Sequence, residues 1–206
     1  MKIDLHCHSK YSQDNFLEPE DLIQQAIRIG LDGVCFTEHY SLLPLWVTEK
    51  IKVPEGFFIF RGIEISTSRG HLLAYGLEND FWNLWSSNTH LDLSKVVETV
   101  HQRGGICVAA HPFRGWDSFG DEVLTIDGLD AIETHNGLNT EEQNQKAIQI
   151  AQLRNLPSVV GSDCHGRDHV GRVFTEFDNP VRTLRELVEE IKKGNCRGMT
   201  WTGETG

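Results

Sequence analysis

The sequence has no C-x-x-C pair, no apolar stretch of membrane-spanning length, no internal repeat and no low-complexity or Pro/Ser-rich tract. Each absence removes a class of protein. Five cysteines (Cys7, Cys35, Cys107, Cys164, Cys196) are an odd number, and four lie in or beside strongly apolar runs. They read as buried reduced thiols, so a disulfide framework is not expected. The lack of a long apolar run excludes a membrane-spanning helix. The N-terminus, MKIDLHCHS, is polar by its fourth residue and is not a signal peptide, so a cytoplasmic location is expected. Basic residues are scarce: 19 Lys and Arg face 30 Asp and Glu, for a net charge of −11. That balance repels a phosphate backbone and argues against long nucleic acid as a partner. It leaves a small phosphorylated substrate open, because ions at a site set their own local field. Also missing are a Ser nucleophile elbow, a Gly-rich phosphate loop and a C-x5-R pattern.

The 206 residues, 39% of them hydrophobic, suffice for one domain with a sizeable core, and residues 1–206 are read as a single domain. Short β-rich runs at 3–8, 33–39, 57–65, 105–111, 129–134, 157–165 and 173–177 alternate with helical patterns. Most runs are near-continuously apolar, as parallel strands covered on both faces are. Helices are expected from Pro19 to Gly30, from Ser94 to Arg103, from the Thr140/Gln143 capping box to about Asn155, and from Asn179 or Pro180 to Lys193. The alternation implies βαβ units, as a barrel or a doubly wound sheet. Residues 40–55 are a weak helix candidate. Residues 166–172 are too few for the crossover that parallel neighbours require, which favours an irregular barrel. The run 81–85 (FWNLW) reads as a packed helix or loop over the core, with a hydrophobic lid as the sharper alternative.

The histidines and acids fall at strand ends. His6 and His8 close the first run two residues apart, so on a strand they share a face, and Asp163 and His165 repeat the spacing. Cys7 and Cys164 lie between these pairs, and alternation turns them to the other face. His39, Glu64 and His111 end or follow three further runs. A lone His at a strand end is more often a hydrogen-bonded structural residue. Independent structural histidines, however, need not choose the same end of five strands. That rim is where α/β barrels build active sites. Imidazole with carboxylate suits zinc, iron or manganese, whereas calcium takes oxygen alone.

These pieces resemble the PHP (polymerase and histidinol phosphatase) superfamily of metal-dependent phosphoesterases. The matching motifs are Asp4-Leu5-His6-Cys7-His8-Ser9 with Ser12 and Asp14, Thr37-Glu38-His39, Gly62-Ile63-Glu64, His71-Leu72-Leu73, Ala110-His111-Pro112, Glu133 with Asn136, and Gly161-Ser162-Asp163-Cys164-His165. They span residues 1 to about 175 in family order. The resemblance implies a distorted (β/α)7 barrel, TIM-like, with a trinuclear site on its C-terminal rim. By motif, His6, His8, Glu64 and Asp163 would hold one divalent ion and Asp14, His39 and His165 a second. Glu64, bridging, would hold a third with His71 and His111. His71 follows Glu64 by only seven residues, in an expected hairpin.

Glu133 and Asn136 are expected to hydrogen-bond the ligands rather than coordinate. His135 should point away from Glu133, and His90 and His101 read as ordinary surface residues. Arg114 and Arg167, with His169, lie on loops just past the rim, and the two arginines are the candidates for binding phosphate. The implied reaction is hydrolysis of a small-metabolite phosphate monoester (a nucleotide, sugar phosphate or histidinol-phosphate-like compound) by water that the ions activate. The alternatives are a phosphodiesterase or exonuclease on short oligonucleotides and a non-catalytic PHP module serving a protein partner.

Overall fold

In a computed structural model of the protein, residues 1–12, 14–39, 41–78 and 90–203 are described. The chain begins with β1 (Lys2–Cys7), whose residues after Lys2 are all buried. Pro19 then opens α1 (Pro19–Arg28), and the chain returns through β2 (Gly33–His39), parallel to β1. After α2 (Leu45–Lys50) comes β3 (Phe58–Thr67), parallel to β2. A tight turn leads to β4 (Gly70–Tyr75), antiparallel to β3, so the expected 57–65 strand is one arm of a hairpin. The run 81–85 lies outside the described residues. Next come α3 (Leu93–Gln102), capped by Asp92, and β5 (Ile106–Ala109). β6 (Ala131–Asn136), α4 (Glu141–Arg154) and β7 (Ser158–Gly161) continue in the parallel sense. The Thr140/Gln143 capping box opens α4 as the spacing predicts. Finally come β8 (Val173–Phe177), α5 (Leu184–Lys193) and β9 (Cys196–Thr200).

The sheet order is β7-β6-β5-β4-β3-β2-β1-β8-β9. The sheet curls until β7 returns to β1. Asp163 N donates to His6 O at 2.7 Å, Cys7 and Cys164 form an isolated parallel bridge, and a Cβ on Gly161 would lie 2.3 Å from that of His6. Glycine is needed at 161 because nothing larger lets the two strands meet. The result is the distorted α/β barrel expected. β8 occupies the lower part of the free edge of β1, through Lys2 and Ile3, and runs antiparallel. This explains why seven residues suffice between 165 and 173: no parallel crossover is made.

Three further differences have local causes. α5 starts at Leu184, not near Asn179, because Thr183 and Glu186 form the capping box. β9 was not anticipated; its sequence, CRGMT, has no alternating apolar pattern, and it forms an antiparallel ribbon with β8. β5 and β7 end at Ala109 and Gly161, so His111, Asp163 and His165 lie just past the strands rather than on them.

The interior is layered. Leu5, Cys35, Phe60, Leu73, Tyr75, Val108, Ala131 and Val159 pack with Leu187, Val188 and Ile191 of α5, which plugs the lower mouth. Cys7 and Cys164 point outward into the cluster under α1, the side expected of them, although Cys164 lies past the end of β7 and is placed by a turn rather than by alternation.

Candidate metal centre

Above that apolar plug the strands carry the polar residues. β1 contains a bulge between Asp4 and Cys7, where one extra residue is inserted relative to β2. The bulge brings both Leu5 and His6 to the interior, apolar below and polar above. A second bulge in β6 falls between Glu133 and His135. Its His135 is turned to the rim, with Glu141 at 3.9 Å.

His6 Nδ1 lies 2.8 Å from Glu133 Oε1, a carboxylate that can only accept, so Nδ1 carries a proton and Nε2 is the nitrogen left to bind an ion when the imidazole is neutral. The same logic holds for His8. Its Nδ1 meets Ser12 Oγ at 2.8 Å, and that hydroxyl donates to Glu38 Oε2 at 2.5 Å, so His8 donates from Nδ1. The two Nε2 atoms lie 3.0 Å apart. Glu64 Oε2 is 3.3 and 3.1 Å from them, and Asp163 Oδ1 is 3.6 and 3.3 Å away. Asp163 Oδ1 is buried and has no hydrogen-bond partner among the described residues. With both imidazoles neutral, four lone-pair bearers converge with no donor between them. Such an arrangement suits a cation.

Glu64 extends the cluster. Its Oε1 is 2.8 Å from His71 Nδ1 and 2.9 Å from His111 Nε2, and its Oε2 is 3.4 Å from His39 Nδ1. Asp14 Oδ2 lies 3.1 Å from His165 Nε2 and 3.3 Å from His39 Nε2. Among the described residues, three groups at this mouth have ligand atoms close enough to share an ion: His6, His8 and Glu64; His8, His39 and His165; and Glu64, His71 and His111. A fourth, His101, Cys107 and Asp130, lies away from it. All nine residues singled out as ligands meet at this mouth. His71 arrives differently from the others, at the start of the antiparallel β4. His111 and Asp163 have φ of 28° and 54°, left-handed values that bulky residues seldom take, at the two points where the chain leaves β5 and β7.

Without ions, protons take the cations' part. Burial opposes a charge on His6, but Asp163, Glu133 and Glu64 outweigh it and raise its pKa well above the ordinary value. Burial likewise opposes a charge on His8, and Asp163 and Glu64 push it up to about 10. Burial would raise Glu64, yet His71, His6 and His39 hold it well below the carboxylate range. Burial would also raise Asp163, but the adjacent His6 and His8 hold it low. His111 is lowered, chiefly by burial.

The supporting residues are equally fixed. Glu133 Oε2 accepts from His111 N at 2.7 Å and from Asn136 Nδ2 at 3.0 Å. Asn136 also donates to Asp163 Oδ2 at 3.1 Å. Arg114 Nη2 donates to the same Asp163 oxygen and to Asn136 Oδ1. Arg167 is exposed on a 3-10 turn (Arg167–His169) and makes no side-chain hydrogen bond or ion pair among the described residues. His90 is exposed, and His101 pairs with Asp130 at 2.7 Å, away from the cluster. Two supporting residues were not singled out from sequence. Glu38, fully buried, orients His8 through Ser12. Asp4, fully buried, accepts from Ser162 N at 2.8 Å and Gly171 N at 2.9 Å. Both stand inside the family motifs, beside the ligands, which was the available signal.

A sequence model of the PHP domain matches residues 4–101, and one of a PHP-associated region matches residues 141–196. A probable histidinol-phosphatase of Thermotoga maritima is 42% identical, the match covering 98% of this chain and 96% of that one. The chain belongs to the PHP family of phosphoesterases. Among solved structures, PsfC of Pseudomonas syringae superposes with a TM-score of 0.77 at 17% identity, covering 98% of this PHP protein and 91% of that chain. A two-domain Bacteroides vulgatus protein containing a predicted PHP-like metal-dependent phosphoesterase gives 0.69 at 22%, covering 98% and 65%. At these identities the two structures speak for the fold. Among the described residues of the PHP protein, no helix is long and apolar enough to cross a membrane.

Proposed function

We propose that this chain is one PHP domain that hydrolyses a phosphate monoester of a small metabolite at a site for three divalent ions. The carrying observation is the convergence of His6 Nε2, His8 Nε2, Glu64 Oε2 and Asp163 Oδ1, which face one another, each ring nitrogen within 3.6 Å of the other three atoms. These four would hold the first ion. Asp14, His39 and His165 would hold the second, and Glu64, His71 and His111 the third. Manganese, zinc and iron suit this donor set. When bound, such ions supply Lewis acidity toward phosphoryl oxygens and an activated water at neutral pH.

The chain's own residues do the rest. Glu133 and the Ser12–Glu38 relay keep the Nε2 atoms of His6 and His8 aimed inward. Arg114 is anchored through Nη2 and Nε, on Asp163, Asn136 and Asn139, and its Nη1 has no partner among the described residues. It would donate from Nη1 to a phosphoryl oxygen, with Arg167 as the second candidate on the rim. The chain's net charge of −11 and the relative named a probable histidinol-phosphatase both support a small monoester over an oligonucleotide.

The test is phosphate release from a panel of phosphorylated metabolites, with one diester and one short oligonucleotide, in manganese, zinc or iron. Monoesters should be cleaved faster, and His8→Ala, checked for folding by circular dichroism, should abolish release. Faster cleavage of the diester would make the protein a phosphodiesterase. No bound ion and no cleavage of any ester would leave a non-catalytic module.

A further inference from the structure

Trp116 is not used by the ion cluster, yet its surroundings connect it to the site. The residue is 63% exposed, a costly placement for a large apolar side chain. It is also held in place. Arg114 Cζ lies 5.4 Å from the ring centroid, and the same guanidinium donates to Asp163. One planar cation thus separates an open indole from a carboxylate at the bottom of the site.

The segment carrying Trp116 is tied to the rim on several sides. Arg114 N donates to His111 O at 3.1 Å, Gly115 N to Ser118 Oγ at 3.1 Å, and Gly120 N to Pro112 O at 2.8 Å. His71 N donates to Asp117 O at 3.1 Å, and Gln143 Nε2 to Arg114 O at 3.1 Å. Asp117, next in the chain, has a φ of 46°, strain that only a well-determined loop supports. Two metal-centre histidines and α4 therefore fix where the indole stands. Another exposed tryptophan, Trp46, has Tyr11 and Lys50 against its ring. Among the described residues, Trp116 has only Arg114 on it.

We propose that Trp116 selects for a flat aromatic or heteroaromatic ring in the leaving group. The phosphoryl group would sit at the ion cluster with Arg114, and the ring carried by the ester oxygen would stack on the indole. Arg114 serves both ends. It binds phosphate with Nη1 and holds the indole by cation–π contact, so the spacing between the two recognition points is set by one side chain. A sugar or polyol phosphate has no π face and gains little from this wall. The inference deepens the monoesterase reading and rests on it for the phosphate end.

The test uses the ion-loaded enzyme with manganese and two inert ligands, benzylphosphonate and ethylphosphonate, whose binding is measured by calorimetry. Benzylphosphonate should bind more tightly, and Trp116→Ala should remove about 5- to 100-fold of its affinity while leaving ethylphosphonate within about twofold. Trp116→Phe should retain most of the preference. In turnover, Trp116→Ala should raise KM for an aromatic monoester and leave kcat nearly unchanged. Equal loss for both phosphonates, or no loss for either, would overturn the proposal, the first because it marks Trp116 as a support for Arg114 only. Because the phosphonates are never cleaved, a ring preference that depends on Trp116 would stand even if no monoester were hydrolysed. That outcome would count against the catalytic reading alone.

Discussion

Along the same strands, the two ends of the barrel are built from opposite chemistry. On β3, Phe60 packs against the apolar plug, and Glu64, four residues on, touches five histidines. On β4 the order is reversed because the strand is antiparallel: His71 is at the polar mouth and Tyr75 in the plug, its hydroxyl donating to Leu5 O at 2.9 Å. On β1 the change occurs between neighbours, Leu5 and His6, across a bulge. The lower end excludes water and is closed by α5. The upper end gathers buried ring nitrogens and carboxylate oxygens, Asp163 Oδ1 among them without a hydrogen-bond partner among the described residues. The comparison teaches that stability and chemistry are separated along the barrel axis, so each can be damaged alone.

The strongest challenge to that division is Glu64→Gln. It removes the charge that links the first and third proposed ion sites without changing volume. Hydrolysis should fall about 10³-fold, with ion loss seen by mass spectrometry, while the plug stays intact by near-ultraviolet circular dichroism. Activity near that of the parent would deny Glu64 its bridging place.

Acid should separate the ends next. His6 and His8 have raised folded pKa values, the latter about 10 against an ordinary 6.5. In the ion-free protein their protons therefore stabilise the fold fully below about 6.5, and that contribution is lost as pH rises through about 10 for His8. Ions must displace those protons, so apparent ion affinity should fall about tenfold per pH unit for each proton displaced. Thermal melts with chelator and with manganese should thus converge as pH falls from about 8 to about 5.5. A constant gap between them would contradict the proton-for-ion exchange.

Leu5→Ala probes the lower end. It should cost about 2–5 kcal/mol of stability, read by denaturant titration, with kcat of the folded fraction preserved. Glu133→Gln gives the most graded effect. It keeps the shape but loses the charge holding His6 Nδ1 and His111 N, and should weaken ion affinity about 10- to 100-fold. An unchanged affinity would reduce Glu133 to a packing role.

Much of the upper end could be read from the chain alone. His6 and His8, Asp163 and His165, and His39, Glu64 and His111 each follow an apolar run, and every one reaches the same mouth. The reason offered for Asp163 and His165 was alternation along a strand, whereas β7 stops at Gly161 and a left-handed turn at Asp163 does the aiming. The lower end was less legible. α5 showed as a helix, but nothing in its sequence says that it closes a barrel. β9 has no period of its own, and the short connection before β8 spoke against a parallel neighbour without saying which strand it would pair with.

By itself the sequence determined the donor set, the strand ends that carry it and the family, because imidazole and carboxylate placed after apolar β-runs are local facts. Only the tertiary structure decided the bulge that separates Leu5 from His6, the approach of β7 to β1 at Gly161, and the seating of Arg114 between Asp163 and Trp116. Those depend on distances between residues far apart in the chain, which local pattern does not encode.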